Sequence, residues 1–371
     1  MQTQAAVLWG VGEPWKIEDV TLDEPRRGEI RVRLAASGLC HTDEHLVTGD
    51  IPGVPYPIIG GHEGAGVVDA VGPGVDHLAE GDHVVLTFIP ACGVCAFCVS
   101  GHQNLCDNGA HIMTGRALSD GGYRVHVGDQ DVSTYTSLGT FSPYVVVNQL
   151  AAIRIDDDIP LDKAALVGCG VTTGWGTAVN AADVRLGQTV VVIGCGGLGI
   201  SAVQGARAAG ATEIVAIDPV EFKRTQALRF GATHAAENIA NAAAYLVDRT
   251  RGVMADAVMI TSSLAAGEMI GPAMGLAAKR GRVVVTSTAP RGQETVTVSL
   301  AELTFWEKQV RGCLWGSANP RTAIPELLDL YRRGVLKLDE MITRTYRLDQ
   351  INDGYDDLRN GRNIRGVVLF D

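Results

Sequence analysis

The hydrophobic pattern of the chain changes character part-way along its length. Up to about residue 150, short β-type runs alternate with Gly and Pro turns, as in EIRVRLAASG, GDHVVLTF and FSPYVVVN. Between about residues 171 and 313, apolar strands, Gly-rich turns and helical segments follow one another, as in TVVVIGCGGLGISAVQGARAAG. The first pattern predicts an antiparallel, barrel-like or sandwich-like segment, and the second predicts a parallel sheet with helices on both faces.

The last part of the chain, after residue 314, contains a predicted helix, a second amphipathic segment and a final strand, RGVVLF. We expect this part to return to the first domain. A chain of 371 residues exceeds what one hydrophobic core usually supports, so two domains are expected. The sequence therefore predicts an α/β protein divided into residues 1–170, 171–313 and 314–371.

Composition limits the partners of the protein. Forty-two acidic and 31 basic side chains give a net charge of −11, which disfavours a nucleic-acid or anionic-membrane surface and favours small-molecule partners. The first residues, MQTQAAVLWGVGEPWKIEDV, do not resemble a secretory signal, and no apolar run is long enough to span a bilayer. Eight cysteines without an export signal indicate a reducing compartment, so we expect a cytoplasmic protein.

A Gly-rich turn at the start of the second region has the spacing G-x-G-x-x-G. A predicted strand at 189–193 precedes it and a predicted helix at about 198–209 follows it, a context that makes this weak motif informative. The glycines would allow a tight turn and close approach of a pyrophosphate, which the helix N-terminus would face. A purely structural turn is the alternative. The candidate coenzyme residues here are Gly194, Gly196, Gly197, Leu198 and Gly199.

The next predicted strand ends at Asp218. A carboxylate at this position can accept hydrogen bonds from the adenosine ribose and repels a 2′-phosphate, so it favours NAD over NADP. Lys223 could also reach a ribose hydroxyl, although an exposed lysine at a helix start is an equally good interpretation. We interpret Cys195, inside the glycine motif, as a small apolar filler and not as a ligand.

Four cysteines lie close together in CGVCAFCVSGHQNLC: Cys92, Cys95, Cys98 and Cys106. Four thiolates in one short loop suit a tetrahedral metal, and this spacing indicates a closed, structural zinc site. An iron–sulfur cluster or disulfides are the nearest alternatives, and unligated core thiols are a third. The bacterial iron–sulfur run ends with a three-residue gap and a proline after the last cysteine, whereas Asp107 follows Cys106.

Two further cysteines stand in unusual surroundings, Cys40 in SGLCHTDEH and Cys169 in LVGCGVTTG, and with His62 of GGHEGAG they can make a second metal site. The segments GLCHTD, GGHEGAGVV, the four-cysteine loop, GCGVTTGWG and GCGGLG occur in this order. Over essentially its whole length the chain resembles the medium-chain, zinc-dependent alcohol dehydrogenases. The resemblance implies a GroES-like, mostly β catalytic domain and a Rossmann NAD-binding domain. It also implies that Cys40, His62 and Cys169 bind a catalytic zinc whose fourth position is open.

The same resemblance assigns roles to neighbours of these ligands. Asp43 would hold the His62 ring N–H and Glu63 would tune the metal, with surface carboxylates as the alternative. Thr42 would take the substrate proton, and His45 would pass it through the coenzyme ribose to solvent, because a histidine exchanges protons near neutral pH. A solvent-exposed His45 without a role is the alternative.

Four more residues match family positions that contact coenzyme or substrate. His41 stands where many relatives carry an arginine that binds pyrophosphate, and Arg365 matches a second pyrophosphate arginine or is an exposed arginine at a strand start. Phe88 matches an aromatic wall of the substrate pocket or is simple core. Thr173 matches a residue that contacts nicotinamide or caps a helix.

The resemblance implies reversible oxidation of a primary or secondary alcohol to an aldehyde or ketone, with two zinc ions per chain and NAD(H). The segment MTGRALSDGGYRVHVGDQDVSTYTSLG is most similar to the nicotinoprotein branch, whose NAD stays bound and is reoxidised in place by an external acceptor. A thiol-dependent formaldehyde dehydrogenase with exchangeable NAD is the first alternative. A zinc-stabilised structural or binding protein without activity is a remote one. The QVRGCLWG strand resembles one that pairs across a family dimer, so we expect a dimer or tetramer.

Overall fold

A computed structural model describes residues 1–51, 53–289, 292–293 and 295–370 of the protein. The chain forms two compact units. The first unit contains Met1–Cys169 together with Asn319–Asp371, and the second contains Gly170–Ala318. Within the described residues, no helix is both long enough and apolar enough to cross a membrane.

The first unit begins with a series of strands separated by turns and by short helices. The strands are β1 (Gln2–Leu8), β2 (Lys16–Leu22), β3 (Glu29–Gly38), β4 (Ile58–Ile59), β5 (Gly64–Val71), β6 (His83–Leu86), β7 (Val125–Val127), β8 (Gln130–Thr134), β9 (Tyr144–Asn148) and β10 (Ala152–Ile155). The helices are α1 (His41–Thr48), α2 (Ala96–Val99) and α3 (Leu161–Ala164). Strands β1, β2, β7, β8 and β4 close into a barrel, as the alternation of apolar and polar positions predicted.

The second unit alternates strands with helices. Its strands are β11 (Thr189–Ile193), β12 (Glu213–Ile217), β13 (His234–Ala236), β14 (Ala255–Ile260), β15 (Ala277–Val285) and β16 (Gln309–Gly312). Its helices are α4 (Gly170–Gly176), α5 (Gly197–Ala208), α6 (Glu221–Phe230), α7 (Ile239–Arg249), α8 (Ile270–Leu276) and α9 (Leu300–Phe305). The strands pair in parallel in the order β13-β12-β11-β14-β15-β16, which confirms the predicted parallel sheet. The central strands are buried on both faces because their residues are continuously apolar.

The chain leaves the second unit at Ala318, a few residues after the predicted boundary at 313. The reason is a left-handed turn at Trp315–Ser317, in which all three residues have positive φ. The carbonyl oxygen of Gly316 accepts a hydrogen bond of 3.0 Å from the Asn180 side chain. A Cβ atom on Gly316 would clash with the Thr172 carbonyl oxygen. This turn therefore belongs to the second unit.

The final segment completes the first unit. It contains α10 (Pro320–Arg332), β17 (Ile342–Tyr346), α11 (Ile351–Arg359) and β18 (Arg365–Leu369). Strand β18 pairs with β3 in antiparallel register, with Val367 opposite Gly38, and extends the sheet β10-β6-β5-β3-β18-β17. This register brings the start of β18 beside the end of β3, where Cys40 follows.

Candidate metal and coenzyme sites

The first cluster of potential ligands lies at the end of β3 in the first unit. Ligand atoms of Cys40, His62, Glu63 and Cys169 all lie within 4.8 Å of one another. The side chains of His62 and Cys169 are buried. A hydrogen bond between the two thiols lowers the pKa of Cys40 well below its usual value and raises that of Cys169. Two thiols and an imidazole this close together form a Cys₂His donor set, which fits Zn²⁺.

The carboxylate of Asp43 in α1 contacts the ring nitrogen Nδ1 of His62. Nδ1 of His62 lies 3.1 Å from Oδ2 and 3.3 Å from Oδ1 of Asp43, so Nε2 is left for a metal. The amide of Gly61 donates a 2.7 Å hydrogen bond to Oδ1 of Asp43, which is completely buried. Burial alone would lower the pKa of His62, but the Asp43 charge raises it well above its usual value. This arrangement is the carboxylate–histidine pair that orients a metal-binding histidine.

Glu63 and Arg365 form a buried ion pair beside this cluster. Nη2 of Arg365 contacts Oε2 of Glu63, and both side chains are buried. A Cβ atom on Gly38 would clash with that carboxylate, so a larger residue at this end of β3 would displace the ion pair. Arg365 does begin β18, but the alternative of an exposed strand-start arginine is wrong, because pairing of β18 with β3 carries it into the interior. Sequence reasoning did not predict that the Glu63 carboxylate would lie among the ligand atoms.

The four-cysteine loop forms a second group of ligand atoms, also within 4.8 Å of one another. The Cys92 and Cys98 sulfurs, and the Cys95 and Cys106 sulfurs, are 3.9 Å apart. Four sulfurs at about 2.3 Å from one tetrahedral zinc would be about 3.8 Å apart. All eight cysteines, each of them described, are free thiols, so the disulfide alternative is wrong. The loop therefore fits a single zinc ion.

Backbone amides of this loop donate hydrogen bonds that stabilise negative charge on the cysteine sulfurs. The amides of Val94 and Cys95 donate to the Cys92 sulfur at 3.4 and 3.3 Å. Hydrogen bonds from the amides of Asp107 and Cys98 lower the pKa of Cys95 to about 6. Burial raises the pKa of Cys98 to about 12, so a full set of thiolates needs the charge of a cation.

The glycine turn of the second unit has the geometry that a dinucleotide needs. Gly194 has φ of +95°, and a Cβ atom there would lie 2.6 Å from the Ser262 amide nitrogen. A Cβ atom on Gly199 would clash with the Gly194 carbonyl oxygen, so α5 packs directly on the turn. Among the described atoms, nothing lies within 4 Å of the Cβ position of Gly196, which leaves room for a pyrophosphate at the start of α5.

Asp218 follows β12 and is fixed by the backbone around it. Its Oδ2 accepts a 2.8 Å hydrogen bond from the Cys195 amide, and its Oδ1 accepts a 2.9 Å bond from the Val220 amide. Cys195 itself is fully buried and belongs to neither cluster of ligand atoms found in the described part of the chain. A carboxylate keeps further acceptor capacity after two such bonds, so Asp218 fits a ribose diol.

Comparison with known proteins now decides the family. Residues 26–157 match the alcohol dehydrogenase GroES-like domain, and residues 197–333 match the zinc-binding dehydrogenase family. The NDMA-dependent alcohol dehydrogenase of Amycolatopsis methanolica is 49% identical over 370 residues, which cover 100% of this chain and 99% of that protein. The chain belongs to the medium-chain, zinc-dependent alcohol dehydrogenase family.

Two other similar proteins, one of them a crystal structure, agree with this family. The S-(hydroxymethyl)glutathione dehydrogenase of Paracoccus denitrificans is 36% identical over 394 residues, which cover 100% of both chains. The crystal structure of an alcohol dehydrogenase zinc-binding domain protein from Burkholderia ambifaria superposes with a TM-score of 0.93 at 34% identity, covering 100% of this chain and 99% of that one. As a member of the family, the protein is an oxidoreductase that acts on alcohols, with zinc and NAD(H) as cofactors.

Three further predicted site residues lie on α1: His41, Thr42 and His45. Oγ1 of Thr42 lies 3.3 Å from the sulfur of Cys40. His45 is buried, so the exposed alternative is wrong, and its Nδ1 lies 3.3 Å from Oδ2 of Asp50. The Asp50 side chain is 25% exposed. His41 is half-buried at the first position of the helix.

Two aromatic rings pack edge-on against His62 in the alcohol dehydrogenase. The Phe88 ring centroid is 5.8 Å from that of His62, and the Tyr135 centroid is 5.6 Å away. Burial raises the pKa of Tyr135 well above its usual value, so its hydroxyl stays neutral. Sequence reasoning missed Tyr135, because nothing in the motif spacing connects it to His62.

On the coenzyme side, two predicted residues lie on different helices of the second unit. Thr173 is inside α4, so the helix-cap alternative is wrong, and its buried Oγ1 has no hydrogen-bond partner among the described residues. An orphaned buried hydroxyl of this kind fits a bound coenzyme. Lys223 is half-buried in the first turn of α6, whereas Arg224 donates to the carbonyl oxygens of Asp218 and Pro219, both at 2.8 Å.

Replacing Asp43 with asparagine tests the orientation of His62. The asparagine side chain could still accept the Gly61 amide but would lack the charge that holds the imidazole. We expect Asp43→Asn to weaken zinc binding at the Cys40 cluster about 10–100-fold, measured by competition with a chelator. Asp19→Asn is the matched control, because Asp19 is exposed on β2 and its carboxylate accepts a hydrogen bond from the Gln4 side chain. Unchanged zinc affinity in Asp43→Asn would contradict this role.

Proposed function

We propose that this alcohol dehydrogenase oxidises a primary or secondary alcohol at the Cys40, His62 and Cys169 cluster and keeps its NAD bound between turnovers. The observation that carries the proposal is the convergence of two thiols and one imidazole from distant parts of the chain. Zinc in this set would supply Lewis acidity at an open position, and NAD⁺ would supply the hydride acceptor. In this proposal the first unit is the catalytic domain and the second is the coenzyme domain.

The chain's own residues would then handle the proton. The Thr42 hydroxyl, beside Cys40, would accept the proton of the substrate hydroxyl while it gives up its own proton, which would pass through the coenzyme ribose to His45 on the same helix. Asp50 contacts His45 and is partly exposed, so it offers an exit to solvent. Phe88 and Tyr135 would keep water away from His62 on the substrate side.

Retention of NAD is the finer part of the proposal. It is supported by the 49% identity to the NDMA-dependent enzyme and by the MTGRALSDGGYRVHVGDQDVSTYTSLG segment. An external acceptor would then reoxidise the coenzyme in place. The second candidate is thiol-dependent formaldehyde oxidation with exchangeable NAD, and it is supported by the more distant S-(hydroxymethyl)glutathione dehydrogenase relative.

One measurement separates the two candidates. We expect the purified and desalted protein to retain NAD(H) in stoichiometric amount, measured by absorbance and by mass analysis after denaturation. We also expect it to oxidise alcohols with nitrosodimethylaniline as acceptor without added NAD⁺. A protein that is free of coenzyme after desalting, and that turns over S-(hydroxymethyl)glutathione with added NAD⁺, would instead support the second candidate.

The proposal also includes the oligomeric state and the cellular location of the protein. All four residues of β16 are exposed at the edge of the parallel sheet. Within the described residues β16 pairs with β15 alone. A strand edge of this kind favours pairing with a second copy, so we propose a homodimer or a tetramer built from it. A cytoplasmic location is proposed from the cysteine content alone.

A further inference from the structure

A groove of about 310 Å³ lies in the second unit, near the starts of its strands. Four of the side chains that line it are cationic: Lys279, Arg280, Arg282 and Arg311. Asp256 is the one carboxylate among the described residues of this lining. Arg280 also meets Glu307 at 3.3 Å, but both side chains are highly exposed, so this pair is weak. The whole chain carries a net charge of −11, so the local excess of cations is not a consequence of composition, and it attracts small anions.

Arg282 is the least exposed of these cations, and its charge is poorly compensated. Its side chain is 13% exposed, and its Nε is buried without a hydrogen-bond partner among the described residues. Nη1 donates to the backbone carbonyl oxygen of Asp183 at 3.2 Å, and Nη2 donates to Oε1 of Gln188 at 3.3 Å, so both acceptors are neutral. The contact between Nη1 and the Asp183 carboxylate is longer, at 3.7 Å. Because a charged group this far from solvent is normally paired with an opposite charge, Arg282 has capacity for an anion.

Two carboxylates near Arg282 are already engaged by other groups. Oδ2 of Asp183 lies 2.9 Å from Nη2 of Arg185. Oδ2 of Asp256 accepts a 2.9 Å hydrogen bond from the Thr189 amide. Burial lowers the pKa of Arg282 below its usual value, and the charge of Asp183 offsets this only in part. These acidic groups of the protein therefore leave positive charge in the groove.

Arg311 adds a second guanidinium to the same groove. Arg282 of β15 is opposite Gln309 of β16, and Arg311 follows two residues later on the face that Gln309 shares. Nε of Arg311 donates to Oε1 of Gln309 at 2.9 Å, and its Nη1 donates to the Ala181 carbonyl oxygen at 3.3 Å. These acceptors are also neutral, and the positive charge of Arg311 contributes to the lowered pKa of Arg282. Two guanidinium groups whose hydrogen bonds go to neutral oxygens are suited to the oxygens of a phosphate.

We propose that this groove binds the diphosphate group of a small anion, either free pyrophosphate or a nucleoside diphosphate, between Arg282 and Arg311. Lys279 and Arg280 supply further positive charge. The groove is separate from the predicted coenzyme site, because β11 extends for about 16 Å between the groove, at its start, and the glycine turn, at its end. Pairing of β16 with a second copy would use backbone groups at the strand edge, so it is compatible with this site. The inference goes beyond the proposed alcohol oxidation and does not depend on it.

Titration calorimetry with inorganic pyrophosphate tests the site. The protein is used as purified, with its coenzyme site filled by NAD(H), in a buffer of low ionic strength that preserves the attraction between charges. We expect one pyrophosphate to bind per chain, and we expect Arg311→Gln to weaken this binding about tenfold by removing a fork of charged donors. Arg282→Gln should weaken it at least as much. With ADP as the second probe, tighter binding than that of pyrophosphate would identify a nucleotide as the ligand, and weaker binding would identify free pyrophosphate.

Arg229→Gln is the matched control, because it removes the same charge from an exposed position in the last turn of α6, in the same unit. It should leave the affinity for pyrophosphate unchanged. Arg311 is exposed, so Arg311→Gln should keep the unfolding midpoint of the wild type. A wild type that does not bind pyrophosphate, or three variants that weaken binding equally, would overturn the inference. So would an Arg311→Gln protein that binds pyrophosphate normally but changes its oligomeric state in light scattering, because the groove would then be a subunit contact. None of these results bears on alcohol oxidation, which is assayed separately.

Discussion

Cys169→Ser will remove one of the two zinc ions expected per chain and lower kcat/KM for alcohol oxidation about 10³-fold or more. The buried sulfur of Cys169 lies against that of Cys40, so a metal bound by His62 needs both thiolates to complete three protein ligands. A serine hydroxyl stays protonated at neutral pH and is a poor ligand for zinc. Two remaining ligands would hold the ion too weakly to survive dialysis against a chelator.

The control for this variant is Cys313→Ser. Cys313 is half-buried and lies outside both clusters of ligand atoms found in the described residues. It should keep both zinc ions and nearly full activity. Metal content is measured by elemental analysis of dialysed protein, and kcat/KM is measured on the same samples. If Cys169→Ser keeps both metal content and activity, the assignment of the catalytic zinc is wrong.

The predicted ligands of this zinc show which part of the site can be inferred from the sequence. Cys40 and Cys169 are more than a hundred residues apart, with His62 between them, so spacing alone does not connect the three. Only the ordered set of motifs predicted the group, through the family resemblance. The physical reason that they meet is that β3 and β5 pair in antiparallel register, so the end of β3 lies beside the start of β5. The chain returns to this end of the two strands just before α4.

Other features of the site depend on long-range register and could not be predicted. The sequence leaves Arg365 as either a pyrophosphate-binding arginine or an exposed arginine at a strand start, yet the residue is buried against Glu63 at the start of β18. Tyr135 lies in a region of turns whose path to His62 depends on closure of the barrel. In contrast, the strand at 29–38 and the strand–turn–helix around Gly194 were predicted correctly, because local alternation and glycine geometry determine them.

The four-cysteine loop should matter for stability first and for catalysis only as a consequence. We expect Cys106→Ser to lower the free energy of unfolding by about 4 kcal/mol, because a buried metal ligand is lost and the site contributes directly to folding. The Cys106 sulfur is buried and is the one that closes the loop onto Cys92 and Cys95. Limited proteolysis should then cut within residues 92–106 at temperatures where the wild type resists.

The matched control is Val94→Ser in the same loop. Val94 is 81% exposed, and only its backbone amide contacts a zinc-ligand sulfur, so this change should leave both zinc ions and the unfolding midpoint unaltered. Chemical denaturation measures the free energy, and elemental analysis measures the zinc content of each variant. All four positions of this site are filled by protein sulfurs, which leaves no position for a substrate. A Cys106→Ser protein of wild-type stability that had lost turnover would therefore contradict the structural role and place chemistry at this loop.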